Sequence, residues 1–201
     1  MEKFQSKSCS LKVEGKPMLF SFDLESEFKY IEKKVFDSRR YSQRNLEKEE
    51  KILKKLAIDF MNIIQTKVLT EEELNHLECA ITEGPGGIWE TAVSQLGLLA
   101  YHFDAAKDRI KSLIRHSNSK VIIRSLHMLS NAFTQEEQMK LLKEVLNHKS
   151  KKVRSWASNT ALSLRSPEFI AILEDRKLIE SDKDVLDSLN FSIENMHQPK
   201  I

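Results

Sequence analysis

The sequence predicts an all-α protein, an α-solenoid of helical hairpins, and three observations predict it. There are only five glycines and four prolines in 201 residues. Average usage would supply about 12% of the chain, and an all-β protein would need a turn roughly every 8–12 residues. The second observation is a period. Val121, Val153 and Val185 stand 32 residues apart, and so do Ile114, Leu146 and Leu178. Self-similarity at that spacing belongs to stacked helix–turn–helix units, which bury an apolar stripe only against their neighbours. The third is capping chemistry. Thr70 with Glu73 and Thr134 with Glu137 have the Ser/Thr-x-x-Glu spacing that starts a helix.

The elements follow in chain order. Leu11 and Val13, then Met18, Phe20 and Phe22, alternate with polar residues on either side of Glu14-Gly15-Lys16-Pro17. That alternation predicts a small N-terminal β-hairpin. Leu24, Phe28, Ile31 and Val35 fall at helical spacing, and Arg39-Arg40-Tyr41-Ser42 reads as a connection. A long helix runs through Leu46, Leu53, Leu56, Phe60 and Ile63, and a second follows Thr70 with Leu74, Leu77 and Ile81. Gly84-Pro85-Gly86-Gly87 ends it.

The periodic part begins near Ile88. Its first unit runs from Ile88 through Leu96 to Phe103, and Asp104 then caps a helix carrying Ile110, Leu113 and Ile114. The second pairs a helix through Val121, Leu126 and Leu129 with one through Leu141, Leu142, Val145 and Leu146. The third pairs Val153, Trp156, Ala157, Ala161 and Leu164 with Phe169, Ile170 and Leu173, the latter helix opened by Ser166-Pro167 with proline in the first helical position. A half unit through Val185, Leu189 and Ile193 closes the series, capped by Asp182 or Ser181. The chain thus divides into a cap segment (1–41), a helical hairpin (42–87) and three and a half repeats (88–201).

Lys152-Val153-Arg154-Ser155-Trp156-Ala157 with Ala161-Leu162 carries a family likeness. Val-Arg after the inter-repeat turn, then small residues and leucine, resembles the HEAT-repeat family. Ile122 and Leu186 depart from it where the pattern has arginine. The resemblance implies a HEAT-like stack whose second helices line a concave face, and an Arg154 that joins a ladder of inter-repeat contacts. It also brings into view HEAT-like alkylpurine DNA glycosylases, which use tryptophans, a carboxylate and basic residues along such a groove. No catalytic aspartate can be placed here, and Trp89 and Trp156 are expected to pack in the core or between repeats.

Charge is distributed unevenly. Residues 101–165 hold 13 Lys/Arg against 5 Asp/Glu, whereas residues 166–201 hold 4 against 8. Lys111 and Lys143 are 32 apart and should align as a column, with Lys107, Lys140 and Arg115 nearby. The junctions add Lys120, Arg124, Lys149, Lys151, Lys152 and Arg154. The candidate partner-binding residues are therefore Lys107, Lys111, Arg115, Lys140, Lys143, Lys149, Lys151 and Lys152. A protein partner with an acidic surface is the leading expectation, and nucleic acid gripped through phosphates is the alternative. Aromatics are not interleaved with these lysines in the sequence, which counts against a single-strand binder.

Other chemistry finds no motif. The glycine cluster lacks the Lys-Ser/Thr and the preceding strand of a phosphate cradle. The six histidines have no metal-ligand spacing, and no serine or cysteine sits in a nucleophile signature. His116 and His148 share the repeat register at helix C-termini, where an imidazolium would favour the dipole. The expectation is a non-enzyme with no cofactor, no metal and no small-molecule substrate. Cys9 and Cys79 suit two reduced thiols in the cytoplasm. The longest uncharged stretch, Thr91 to Phe103, is 13 residues and too short to span a bilayer, and the first residues show no signal peptide.

Overall fold

The computed structural model describes residues 11–13, 16–18, 29 and 46–197. The expected helical stripe from Leu24 to Val35, the connection at 39–42, Phe20, Phe22 and Cys9 lie outside the described residues, apart from Lys29, which is helical. Strands β1 (Leu11–Val13) and β2 (Lys16–Met18) pair antiparallel, with Leu11 opposite Met18 and Val13 opposite Lys16. The hairpin is present, but Lys16 and Pro17 belong to its second strand rather than to the turn. Proline is tolerated there because each strand of a two-stranded ribbon is an edge.

The other described elements are helices: α1 (Leu46–Thr66), α2 (Glu71–Glu83), α3 (Ile88–Leu99), α4 (Asp104–Ile114), α5 (Ser119–Leu126), α6 (Leu129–Ala132), α7 (Gln135–Leu146), α8 (Lys151–Leu164), α9 (Glu168–Lys177) and α10 (Lys183–Met196). The described chain is thus overwhelmingly α-helical. Both capping boxes form: Thr70 and Thr134 accept from the backbone of Glu73 and Glu137, whose carboxylates reach back to the cap N–H groups. Each box satisfies two donors that an open helix end leaves unpaired.

The glycine cluster ends α2 for steric reasons. A Cβ on Gly84 would collide with the Ala80 carbonyl oxygen and meet Ile88 Cγ2 at 2.8 Å. Gly87, entering α3, has φ 77°, a conformation that favours glycine. Two expected helix starts shift by one residue. Asp104 is the first helical residue of α4, with Phe103 in the cap position, so its carboxylate sits in the first turn instead of capping. Pro167 precedes α9 rather than opening it, although its φ and ψ of −55° and −27° are already helical.

The first helix of the second unit is broken. His127 and Met128 interrupt it between α5 and α6, and their N–H groups bond back three residues, to Arg124 and Ser125. The apolar stripe runs through unbroken, which is why the sequence reads as one helix. Buried Ser125 donates its hydroxyl to the Val121 carbonyl, a back-bond that bends helices just before this point.

The helices lie in two layers. On one side α1 contacts α3, α3 contacts α5 and α6, α5 contacts α8, and α8 contacts α10. On the other, α2 contacts α4 and α7 contacts α9. Short connections pack α2 on α3, α4 on α5, α7 on α8 and α9 on α10. One apolar core runs between the layers from Leu53 on α1 to Ile193 on α10. Its members recur at three- and four-residue spacing on each helix, so burial and helix period supply the same pattern. Among the described residues no helix is long and apolar enough to cross a membrane, and no group of His, Cys, Asp or Glu could hold a metal ion.

Candidate functional site

The basic residues separate into two sets. Arg115, at the end of α4, forks onto Glu144 of α7 through Nε–Oε1 and Nη2–Oε2 contacts of 2.8 Å each. That hydrogen bond raises the Arg115 pKa and lowers that of Glu144. Lys140 pairs with Glu136 at 2.7 Å, and Lys151 reaches Asp184 at 2.8 Å and Asp182 at 3.3 Å. Lys111 bonds Asp108 at 3.3 Å and stands 5.9 Å from the centre of the Phe133 ring. Lys107, Lys143, Lys149 and Lys152 make no ion pair with a described residue. Thr134 holds the Glu137 carboxyl below its ordinary range through the capping bond, and Lys107 and Lys111 add to the effect. Those two lysines of α4 therefore face the start of α7. The sequence grouped all eight residues; among the described residues half of them make no ion pair.

The arginines knit helices together. Arg109 of α4 bonds Glu71, Glu78 and, at 2.9 Å, Asn75, three residues along one face of α2. Arg176 of α9 reaches Asn147 after α7 at 3.1 Å. Arg154 of α8 meets Glu180, in the turn between α9 and α10, bidentately and donates to the carbonyls of His148 and Lys149. Guanidinium suits this work because its planar fork serves several acceptors at once, whereas a lysine is a point charge.

Arg124 is a correction to the sequence reading, which placed it among surface residues of a junction. It lies inside α5, 4% exposed. Its guanidinium donates to the carbonyls of Ile81, Thr82 and Gly84 at the end of α2. No carboxylate pairs with it among the described residues. The negative end of α2 offsets the buried charge, and burial lowers the Arg124 pKa. The same guanidinium lies 5.0 Å from the Trp89 ring centre.

Trp89 starts a row of rings. Its centroid is 5.9 Å from that of His127, and His127 is 5.9 Å from Trp156, edge-on at 64°. Three successive first helices, α3, the end of α5 and α8, supply the members. Trp89 packs against the core as expected. Trp156 does touch the neighbouring unit through His127, but it is 38% exposed and not a core residue. The sequence missed this row. Its signal was the composition around His127 and Trp156: residues 109–135 and 145–167 contain no Asp or Glu at all.

The histidines of the junctions bond the backbone of the turns that follow them. Nδ1 of His116 accepts from the Asn118 N–H, and Nδ1 of His148 from the Ser150 N–H, both at 3.0 Å. Each ring fixes the turn into the following helix. His76 pairs through Nδ1 with buried Asp59 at 3.1 Å, and its Nε2 faces Glu72 at 3.9 Å. No hydroxyl or thiol among the described residues bonds this pair, and its geometry ties α1 to α2.

No family model and no curated protein matches the chain. A solved crystal structure of an engineered protein from a structural-genomics consortium is similar at 14% identity, over 86% of this chain and 78% of that one, with a TM-score of 0.38. A likeness at that level carries no argument about fold or function, so the reading below rests on residues and geometry.

Proposed function

We propose that the chain is a non-catalytic binding module, a HEAT-like α-solenoid of 32-residue period that presents a partly basic surface to an acidic protein partner, in the manner of an adaptor or an immunity-type protein. Residues 1–41 cap it, 42–87 form a helical hairpin that counts as a degenerate unit, and 88–201 supply three and a half repeats. Supporting the period, α5, α8 and α10 begin at Ser119, Lys151 and Lys183, 32 residues apart. The observation that carries the binding reading is the division among cations. Carboxylates of α7 are engaged at home by Arg115, Lys140 and the Thr134 cap, while Lys143 makes no ion pair with a described residue and Lys107 lies near only the already capped Glu137. Unneutralised charge on a rigid face raises encounter rates and selects partners of opposite sign. Free, exposed Cys79 suits a reducing cytoplasm. A glycosylase would want a carboxylate beside its tryptophans; α8, which carries Trp156, has none, and Glu90 beside Trp89 is exposed at the start of α3.

The test is a tagged pull-down from the source organism, with and without nuclease, run beside a Lys107→Glu/Lys143→Glu double variant. A protein retained after nuclease and lost with the double variant is the expected result. Equal retention by a folded double variant, or recovery that collapses on nuclease treatment, sinks the acidic-protein reading.

A further inference from the structure

We infer that the row Arg124–Trp89–His127–Trp156 and the exposed lysines beside it form a second binding surface, on the first-helix layer, and that its ligand is a single-stranded nucleic acid. The surface is distinct from the lysines of α4 and α7 and stands independently of them.

Four observations converge. The rings are contributed by three successive units and touch in 5.9 Å steps, so they form one continuous platform rather than scattered aromatics. The platform is held from below: Arg124, fixed by three carbonyls of the α2 terminus, braces Trp89. Trp156 is 38% exposed and His127 is exposed, although most large apolar side chains of these helices are buried. Lastly, the surroundings of His127 and Trp156 are positive, while Glu90 bounds the row at Trp89. Helices α5 and α8 have no carboxylate. Lys120 and Lys152, 32 residues apart, are exposed and make no ion pair with a described residue. On α8, Lys152, Trp156, Asn159 and Ser163 lie at i, i+4, i+7 and i+11, a single stripe in which cation, ring and hydrogen-bonding groups succeed one another.

The chemistry favours one class of ligand. Phosphates are drawn by cations that have no internal counter-ion, and bases stack on exposed rings whatever their identity. A duplex offers phosphates but keeps its base faces covered. An acidic protein surface offers charge but no series of planar rings. The positive face is bounded by Glu90 on α3 and by Asp184, Asp187 and Glu194 on α10, so the strand would lie across α5 and α8 with Trp89 at its edge.

Fluorescence anisotropy with a labelled thymidine oligonucleotide of about 20 residues, and with a duplex of the same length, tests this. The expected result is preference for the single strand, quenching of tryptophan emission, and a loss of about tenfold or more in affinity for Trp156→Ala. Lys120→Glu/Lys152→Glu should also make the dependence of log K on log salt shallower, by about 0.7 for each phosphate contact removed. Circular dichroism and a thermal melt confirm that each variant is folded; Trp156→Phe, which keeps a ring, should retain most of the binding. Unchanged affinity in folded Trp156→Ala overturns the proposal. So does equal affinity for single strand and duplex, or absence of oligonucleotide binding. Binding of poly-glutamate in place of the oligonucleotide would reassign the surface to a protein.

Discussion

Arg154 of α8 and Glu180, in the turn between α9 and α10, are joined by a two-pronged bond, Nε to Oε2 at 2.7 Å and Nη2 to Oε1 at 2.9 Å. The Glu180 side chain is 1% exposed, and it also accepts from Arg176 at 2.7 Å and from the Ser181 and Asp182 N–H groups at 3.0 Å. With a second bond from Arg176, Nε to Oε2 at 3.2 Å, six hydrogen bonds converge on one carboxylate. It is the knot that ties α8, α9 and the turn into α10.

Glu180→Gln should therefore destabilise by about 3 kcal/mol, because two arginines lose the charge they face while remaining buried. Urea unfolding measures it. An effect under about 0.5 kcal/mol would show that the knot contributes little.

The same carboxylate sets a dependence on acid. Arg154 above all, then the backbone and Arg176, hold the Glu180 carboxyl far below the ordinary range against the opposing effect of burial. A depressed folded value means stability that is complete above the unfolded value of about 4.3 and is lost as pH falls below it. The Tm of the wild type should fall steeply from pH 5 to about pH 3, and that of Glu180→Gln less steeply. Parallel curves would assign the acid sensitivity to other groups.

Arg124→Met keeps the aliphatic stem but leaves the carbonyls of Ile81, Thr82 and Gly84 without their donor. A cost of about 2–3 kcal/mol is expected, and Arg124→Lys should recover only part of it, since an ammonium cannot fork. Full recovery by lysine would mean that charge alone, not geometry, holds the end of α2.

Leu146 and Leu178 share a repeat position but not an environment: 1% exposed against 84%. Leu146→Ala should cost about 2–5 kcal/mol and Leu178→Ala under about 0.5. Chemical denaturation of both variants decides this. Comparable losses would mean that Leu178 is covered in solution.

Thr134→Ala removes one side of a capping box and should cost about 1 kcal/mol. Glu137→Gln preserves a hydrogen-bonding group and should cost less. Helix content by circular dichroism and unfolding free energy give the comparison.

Much of this molecule could be read from local chemistry. The helices of the second layer, both capping boxes, the break at Gly84 and the cap at Asp182 follow from side chains acting on backbone within four residues of themselves. Apolar spacing fixed which faces turn inward, since an amphipathic stripe has one way to escape water. The spacing of Val121, Val153 and Val185 matches the starts of α5, α8 and α10 at Ser119, Lys151 and Lys183.

Tertiary structure decided what a fixed register cannot express. Trp89 aligns with Val121 in the repeat frame, yet its ring meets His127, 38 residues on; His127 meets Trp156 after 29. Neither interval is a multiple of the period, because the kink between α5 and α6 and the reach of large side chains carry the contacts off register. Arg124 likewise looked like one more surface cation until the C-terminus of α2, about forty residues earlier, took it in. Charge and periodicity are properties of the chain. Which cations remain unpaired, and which rings come together, are properties of the stack, since both depend on groups that are neighbours only after the helices have packed.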